Sequence, residues 1–183
     1  MATSEAKMPS FPPLFRGERV PAHANTFLKA MIAAKDNVDP GLIFYSEDIG
    51  NLEVSLVLAP DMTLEKSLGM VLVNQMGIAD SLGALAPPEV AVHFNWPNKI
   101  KVNGAFCGNT FFKASTPIEN EIPEWLIVGF KIPFLWDKNM EAGANPNITV
   151  LSNEGCLEIT PYSLLESWSR HTLVWLNRFL DEG

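Results

Sequence analysis

Apolar positions along the chain alternate between helical and strand spacing, and the switches mark the elements. In residues 25–35 the stripe Phe27, Met31 and Ala34 predicts a helix, with Asn25 placed to cap it. Residues 42–46 and 52–58 form two short apolar or partly alternating runs, split by the turn-formers Asp48 and Gly50, and predict two strands. Thr63 is placed to cap a long helix, 64–85, in which Leu64, Leu68, Val71, Leu72, Gln75, Ala79 and Leu82 share one face. Pro87-Pro88 ends it. Gly69, Gly77 and Gly83 inside this helix each cost roughly 1 kcal/mol against alanine, which predicts close packing on a sheet. Near the C-terminus, Thr160-Pro161 places a cap before a proline at the first helical position. The helix runs on to residue 180 with Leu164, Leu165, Trp168, Thr172, Trp175, Leu176 and Phe179 on one face.

The middle of the chain has strand character. A run ending at residues 93–96 stops at Pro97, which cannot donate a ladder hydrogen bond. A short run, 100–102, follows. Asn103-Gly104 is a strong hairpin signal because both residues tolerate positive φ, and 105–112 returns as a further strand. After a polar loop, 115–123, the apolar run 125–133 predicts a central strand. Residues 137–147 read as a loop. The order is helix, two strands, long helix, three strands, one strand, helix. It predicts an α+β fold with a mainly antiparallel or mixed sheet and helices on one side. Residues 1–20 read as an N-terminal tail and 21–183 as one domain.

Charge and composition narrow the function. A net charge of −8 argues against a nucleic-acid partner. No uninterrupted run of 18 apolar residues predicts a membrane span. The polar N-terminus lacks the apolar core of a signal peptide, so a cytoplasmic location is expected. The four arginines are Arg16, Arg19, Arg170 and Arg178, so the middle of the chain lacks the side chain best suited to bidentate phosphate binding. Cys107 and Cys156 have no metal-ligand companions and read as buried free thiols. His23, His93 and His171 form no cluster; His93 is expected to be a packed strand residue, and Trp96 a core residue.

The ordered set Trp96-Pro97-Asn98, a short strand, Val102-Asn103-Gly104 and a strand containing Gly108 resembles the core of the biotin/lipoate A/B protein ligase family. The likeness extends to Asn25-Thr26-Phe27 against a helix start that reads Ser-Thr-Asn in relatives. It continues through residues 51–82, through Trp125 to Pro133 against a Val-Ile-Gly-Ile-Gly-Ile-Asn strand, and through Asn153-Glu154-Gly155. It implies the class II synthetase/biotin-ligase-like fold, and in some relatives a small β domain follows. It also implies ATP with Mg²⁺ and biotin or a lipoyl-type acid as reactants, an acyl-adenylate intermediate, and a lysine on a biotinyl or lipoyl carrier domain as acceptor. Two anions must meet in that reaction, so fixed cations and aimed amides carry it.

The chain departs from the pattern where those cations belong. The family's Gly-Arg-Gly-Arg-x-Gly loop has no room between Glu47 and Leu52. Ala105 stands near the family lysine, so no catalytic residue is assigned. Asp48 falls where relatives carry a glutamine facing the acid's ring, Lys99 replaces an aspartate, Lys131 replaces a glycine and Pro133 an asparagine. Loss of one such donor costs about 3 kcal/mol. The resemblance places Asp48, Trp96, Asn98, Lys99, Gly108, Gly129 and Lys131 at the ligand site; Lys131, inside an apolar run, is expected either to project into that site or to snorkel to water from an edge strand. The expected function is binding of a small carboxylic acid or a carrier domain without adenylation. The alternative is an active ligase or acyltransferase whose anion site is rebuilt from Lys99, Lys101, Lys113 or Lys131.

Overall fold

The computed structural model describes residues 8–22, 24–36, 39–46, 50–137 and 145–182. Seven strands form one mixed sheet: β1 (Arg16–Val20), β2 (Leu42–Ser46), β3 (Asn51–Leu58), β4 (Val92–Asn95), β5 (Lys99–Val102), β6 (Ala105–Ala114) and β7 (Leu126–Pro133), in the spatial order β1-β2-β3-β7-β6-β5-β4. β1 runs parallel to β2, and the other neighbours pair antiparallel. The helices are α1 (Thr26–Lys35), α2 (Leu64–Ser67), α3 (Gly69–Leu85) and α4 (Pro161–Glu182), with a 3₁₀ turn at Leu151–Glu154.

The period-2 geometry of the strands sorts their side chains between two faces. Leu52, Val54, Leu56, Leu126, Val128, Phe130 and Ile132 are buried in the core that also takes in Val71, Ile78 and Leu82 of α3 and Leu164, Leu165 and Trp168 of α4. Trp168 lies edge-on to Phe130, 5.2 Å between ring centres, and its indole donates to Asn74 Oδ1 at 3.1 Å. The intervening positions face the other way. There Val57 and Ile127 join Leu42, Phe44, Ala30 and Ala34 in a second cluster under α1. Helices therefore cover both faces, not one as the sequence order suggests.

Several local expectations hold. Asn25 caps α1 by accepting from Leu28 N–H at 2.8 Å, and Thr160 Oγ1 accepts from Ser163 N–H at 3.1 Å at the start of α4. Asn103 (φ +50°) and Gly104 (φ +91°) make the β5–β6 turn. Four details differ. Residues 16–20, assigned with the tail, form an edge strand. The single helix over 64–85 breaks at Leu68, because Ser67 Oγ bonds back to the Met62 and Thr63 carbonyls and Gly69 meets the Phe179 ring. Thr63 makes no side-chain cap; the Leu64 and Glu65 amides donate to the Glu121 and Glu119 carbonyls instead. Gly69 and Gly77 admit α4 side chains, Phe179 and Thr172, rather than the sheet, and Gly83 faces open space. By length and composition residues 64–85 could cross a membrane, yet half of that stretch is buried in this fold.

Candidate functional site

The face of the sheet that carries α1 also carries the charged positions, in the part that α1 and its Phe27–Phe111 contact leave uncovered. Lys131 lies between Phe130 and Ile132, and Glu53 between Leu52 and Val54; all four of those neighbours are fully buried on the opposite face. Glu53 and Lys131 are direct cross-strand partners, as are Lys131 and Asn109, Asn109 and Lys99, and Lys99 and Asn95. One polar row, Glu53–Lys131–Asn109–Lys99–Asn95, thus crosses five strands.

Its inner end is tightly bound. The Glu53 carboxylate accepts from Thr26 Oγ1 at 2.8 Å and from Thr26 N–H at 3.2 Å, at the first turn of α1, and lies 3.6 Å from Lys131 Nζ. A carboxylate is favoured there by the helix dipole as well as by the ammonium. Thr26 Oγ1 and Ser55 Oγ are 3.0 Å apart. Lys131 stands on a central strand, with its side chain half exposed, so its ammonium reaches both water and a partner. That resolves the cost of a lysine in an apolar run.

The outer end is open. Lys101 Nζ sits over the Phe106 ring, 4.7 Å from its centre. Lys99 is exposed and has no ion-pair partner among the described residues. Trp96 is 72% exposed, which corrects the expectation of a core tryptophan: the turn of residues 96–98 lifts it off the sheet. His93 is likewise exposed on edge strand β4 rather than packed. Asn98 is exposed, and its carbonyl accepts from Thr110 N–H at 2.8 Å. The adjacent Pro97 carbonyl accepts from Gln75 Nε2 at 3.0 Å.

Two glycines fix the surface. A Cβ at Gly129 would fall 2.3 Å from both the Phe111 ring and the Val54 carbonyl, and one at Gly108 (φ +120°) 2.2 Å from the Lys131 carbonyl. Ala105 follows the hairpin turn. The row brings together Lys99 and Lys131, with Gly108 and Gly129 beneath. Asp48 and His23 lie outside the described residues, as do residues 138–144 of the expected loop. Glu53 and Asn109 escaped the sequence reading: a glutamate in an alternating strand looks like an ordinary solvated position, although Gly108 within a strand is a bulge signal that would have pointed to its neighbour.

Cys107 and Cys156 are buried free thiols, as expected. Burial first, then the Glu154 carboxylate and Cys156, push the Cys107 thiol up to about 12, so it is an inert core group. No group of three or more His, Cys, Asp or Glu that could hold a metal occurs among the described residues.

The model of the biotin/lipoate A/B protein ligase family matches residues 11–183. A biotin protein ligase-like protein of unknown function from Silicibacter sp. TM1040 shares 40% identity and a TM-score of 0.89, over 96% of this chain and 75% of that one. Biotin protein ligase from Aquifex aeolicus, solved without ligand, has 17% identity and a TM-score of 0.70 over 92% and 73% of the two chains. The enzyme from Leishmania major, solved with biotin, has 13% and 0.61 over 93% and 81%. At those lower identities the likeness is one of fold. None of the curated proteins matches. The mixed seven-stranded sheet with its helices, the match over nearly the whole chain and the 40% relative together place the chain in the biotin/lipoate A/B protein ligase family.

Proposed function

We propose that this protein binds a small carboxylic acid, or a carrier domain bearing a biotinyl or lipoyl group, on the open face of its sheet and does not adenylate the acid. The observation that carries the reading is the β2–β3 connection: residues 47–50 are all that join the two strands. A Gly/Arg phosphate loop does not fit in that span. The donor set also fits a triphosphate poorly. No arginine occurs between Arg19 and Arg170, Ala105 offers no cation beside the hairpin turn, and Lys131 is already neutralised by Glu53. Phosphoryl chemistry depends on such fixed cations. Biotin is the ligand in the solved Leishmania major enzyme, and biotin with ATP in one Aquifex aeolicus structure; only the acid is carried over here. The cytoplasmic location belongs to the same proposal.

A second reading, a ligase or acyltransferase with a rebuilt anion site, is favoured by one observation: Lys99 and Lys131 share the row. Thermal denaturation with ATP and Mg²⁺ separates the two. A site filled at 100 times its dissociation constant adds about 2.7 kcal/mol. The expected result is no shift in Tm with ATP–Mg²⁺ and a saturable rise with a small acid. A rise with ATP–Mg²⁺ favours the rebuilt ligase.

A further inference from the structure

Four lysines lie on this face of the sheet: Lys131 has Glu53 and Lys101 has the Phe106 ring as partners, and Lys113 stands outside the row, near the far end of β6 opposite Ile127. Lys99 is left over, and the register sets an amide on each side of it, Asn95 on β4 and Asn109 on β6. Asn109 is there because the strand is bulged. Between Lys99 and Lys101 of β5, β6 advances from Asn109 to Phe106, one residue more than its partner. Cys107 points into the core and so does Thr110, three positions on, where Gln75 Nε2 donates to its hydroxyl at 3.3 Å. Without the extra residue Asn109 would share the core side with Cys107. The bulge, with Gly108 at φ +120°, turns Asn109 out onto the lysine row. Bulges are devices that re-aim a side chain, and they recur beside binding sites.

Lys99 and Lys131 flank Asn109 from the two neighbouring strands. Strands lie about 4.8 Å apart, so their Cβ atoms are separated by roughly 10 Å, within the combined reach of two four-carbon stems. Building on the acid-binding reading above, we propose that Lys99, Asn109 and Lys131 form a clamp for the carboxylate of a small organic acid, and that Glu53 is its internal competitor. The row carries two ammoniums and one carboxylate. Its net charge of one matches a single carboxylate and is opposite in sign to the chain's net charge of −8. An incoming carboxylate takes hydrogen bonds from Lys99 and the Asn109 amide and draws the Lys131 ammonium away from Glu53. Glu53 keeps its two bonds from Thr26, so the exchange leaves no buried carboxylate bare.

The test is calorimetric titration of the full chain with sodium hexanoate at fixed ionic strength, with neutral hexanamide and inorganic phosphate as the other arms. Hexanoate is expected to bind saturably and hexanamide not at all. Lys99→Gln should weaken hexanoate about tenfold or more, the scale of a lost charge-assisted hydrogen bond. Asn109→Ala should weaken it several-fold, while Lys66→Gln, on a distant helix, should leave it unchanged. Glu53→Gln keeps an acceptor for Thr26, frees Lys131, and should tighten binding several-fold. Hexanoate binding that is unchanged in Lys99→Gln, or no tighter in Glu53→Gln, overturns the clamp while leaving the acid-binding reading intact. Absence of saturable hexanoate binding in both wild type and Glu53→Gln overturns the clamp and the acid-binding reading together. Binding of phosphate alone overturns the carboxylate assignment.

Discussion

The two faces of one sheet divide the labour. On the α3/α4 face, β3 and β7 contribute Leu52, Val54, Leu56, Leu126, Val128, Phe130 and Ile132, all fully buried. On the other face the same two strands contribute Glu53, Ser55, Gly129 and Lys131. The first face is packed along its whole length; the second has a smaller apolar cluster under α1, around Val57 and Ile127, and beside it a row of polar side chains held by a few directed bonds. A family fold can therefore keep its scaffold while the chemistry on its open side changes, because the two sets of side chains alternate in sequence but do not share a core.

If that division is right, the largest effects on stability come from the packed face. Trp168→Ala removes a fully buried ring, its contact with Phe130 and its bond to Asn74, and should cost about 3–5 kcal/mol, measured by urea denaturation. A loss below 1 kcal/mol would break the comparison. Gly129→Ala comes next: Gly129 is on the other face, but under the Phe27–Phe111 contact, and its new methyl meets the Phe111 ring and the Val54 carbonyl; overpacking of this kind costs roughly 1–3 kcal/mol. Lys131→Gln should change stability by less than about 1 kcal/mol, as expected of a half-exposed ion pair, while altering acid binding. A large stability loss there would show that the open face is structural.

How much of this was legible beforehand follows from how local each signal is. The Asn103-Gly104 turn and the caps Asn25 and Thr160 are set by residues a few positions apart, so the sequence displays them. Strand β1 was missed because Arg-Gly-Glu-Arg-Val is polar and gains its place only by pairing with β2 some 26 residues on. The same holds for α1, whose side of the sheet is a matter of topology rather than of periodicity. At the site, Lys131 stood out because a charge interrupts an apolar run. Asn109 did not, since its direction depends on a bulge that reverses the alternation at Gly108. Trp96 was misread because an aromatic residue at a strand end is usually buried; here the proline turn carries it outward.

The smallest effect sharpens the packed side. Cys107 stays protonated in the fold up to about 12, against an ordinary value of 9.0. The unfolded chain releases that proton first as the solution becomes alkaline. The thiol's contribution is therefore complete below pH 9 and is lost as pH rises towards 12. Cys107→Ala should flatten that part of the stability–pH curve; an unchanged slope between pH 9 and 11 would place the thiol in a wetter setting.

The central claim is that the open face holds an acid without activating it. Incubation of the protein with biotin or lipoate, ATP and Mg²⁺, followed by mass spectrometry for the acyl-AMP and an assay for pyrophosphate, tests this most directly. Neither product should form above the enzyme-free control. Accumulation of an acyl-AMP with matching pyrophosphate would contradict it.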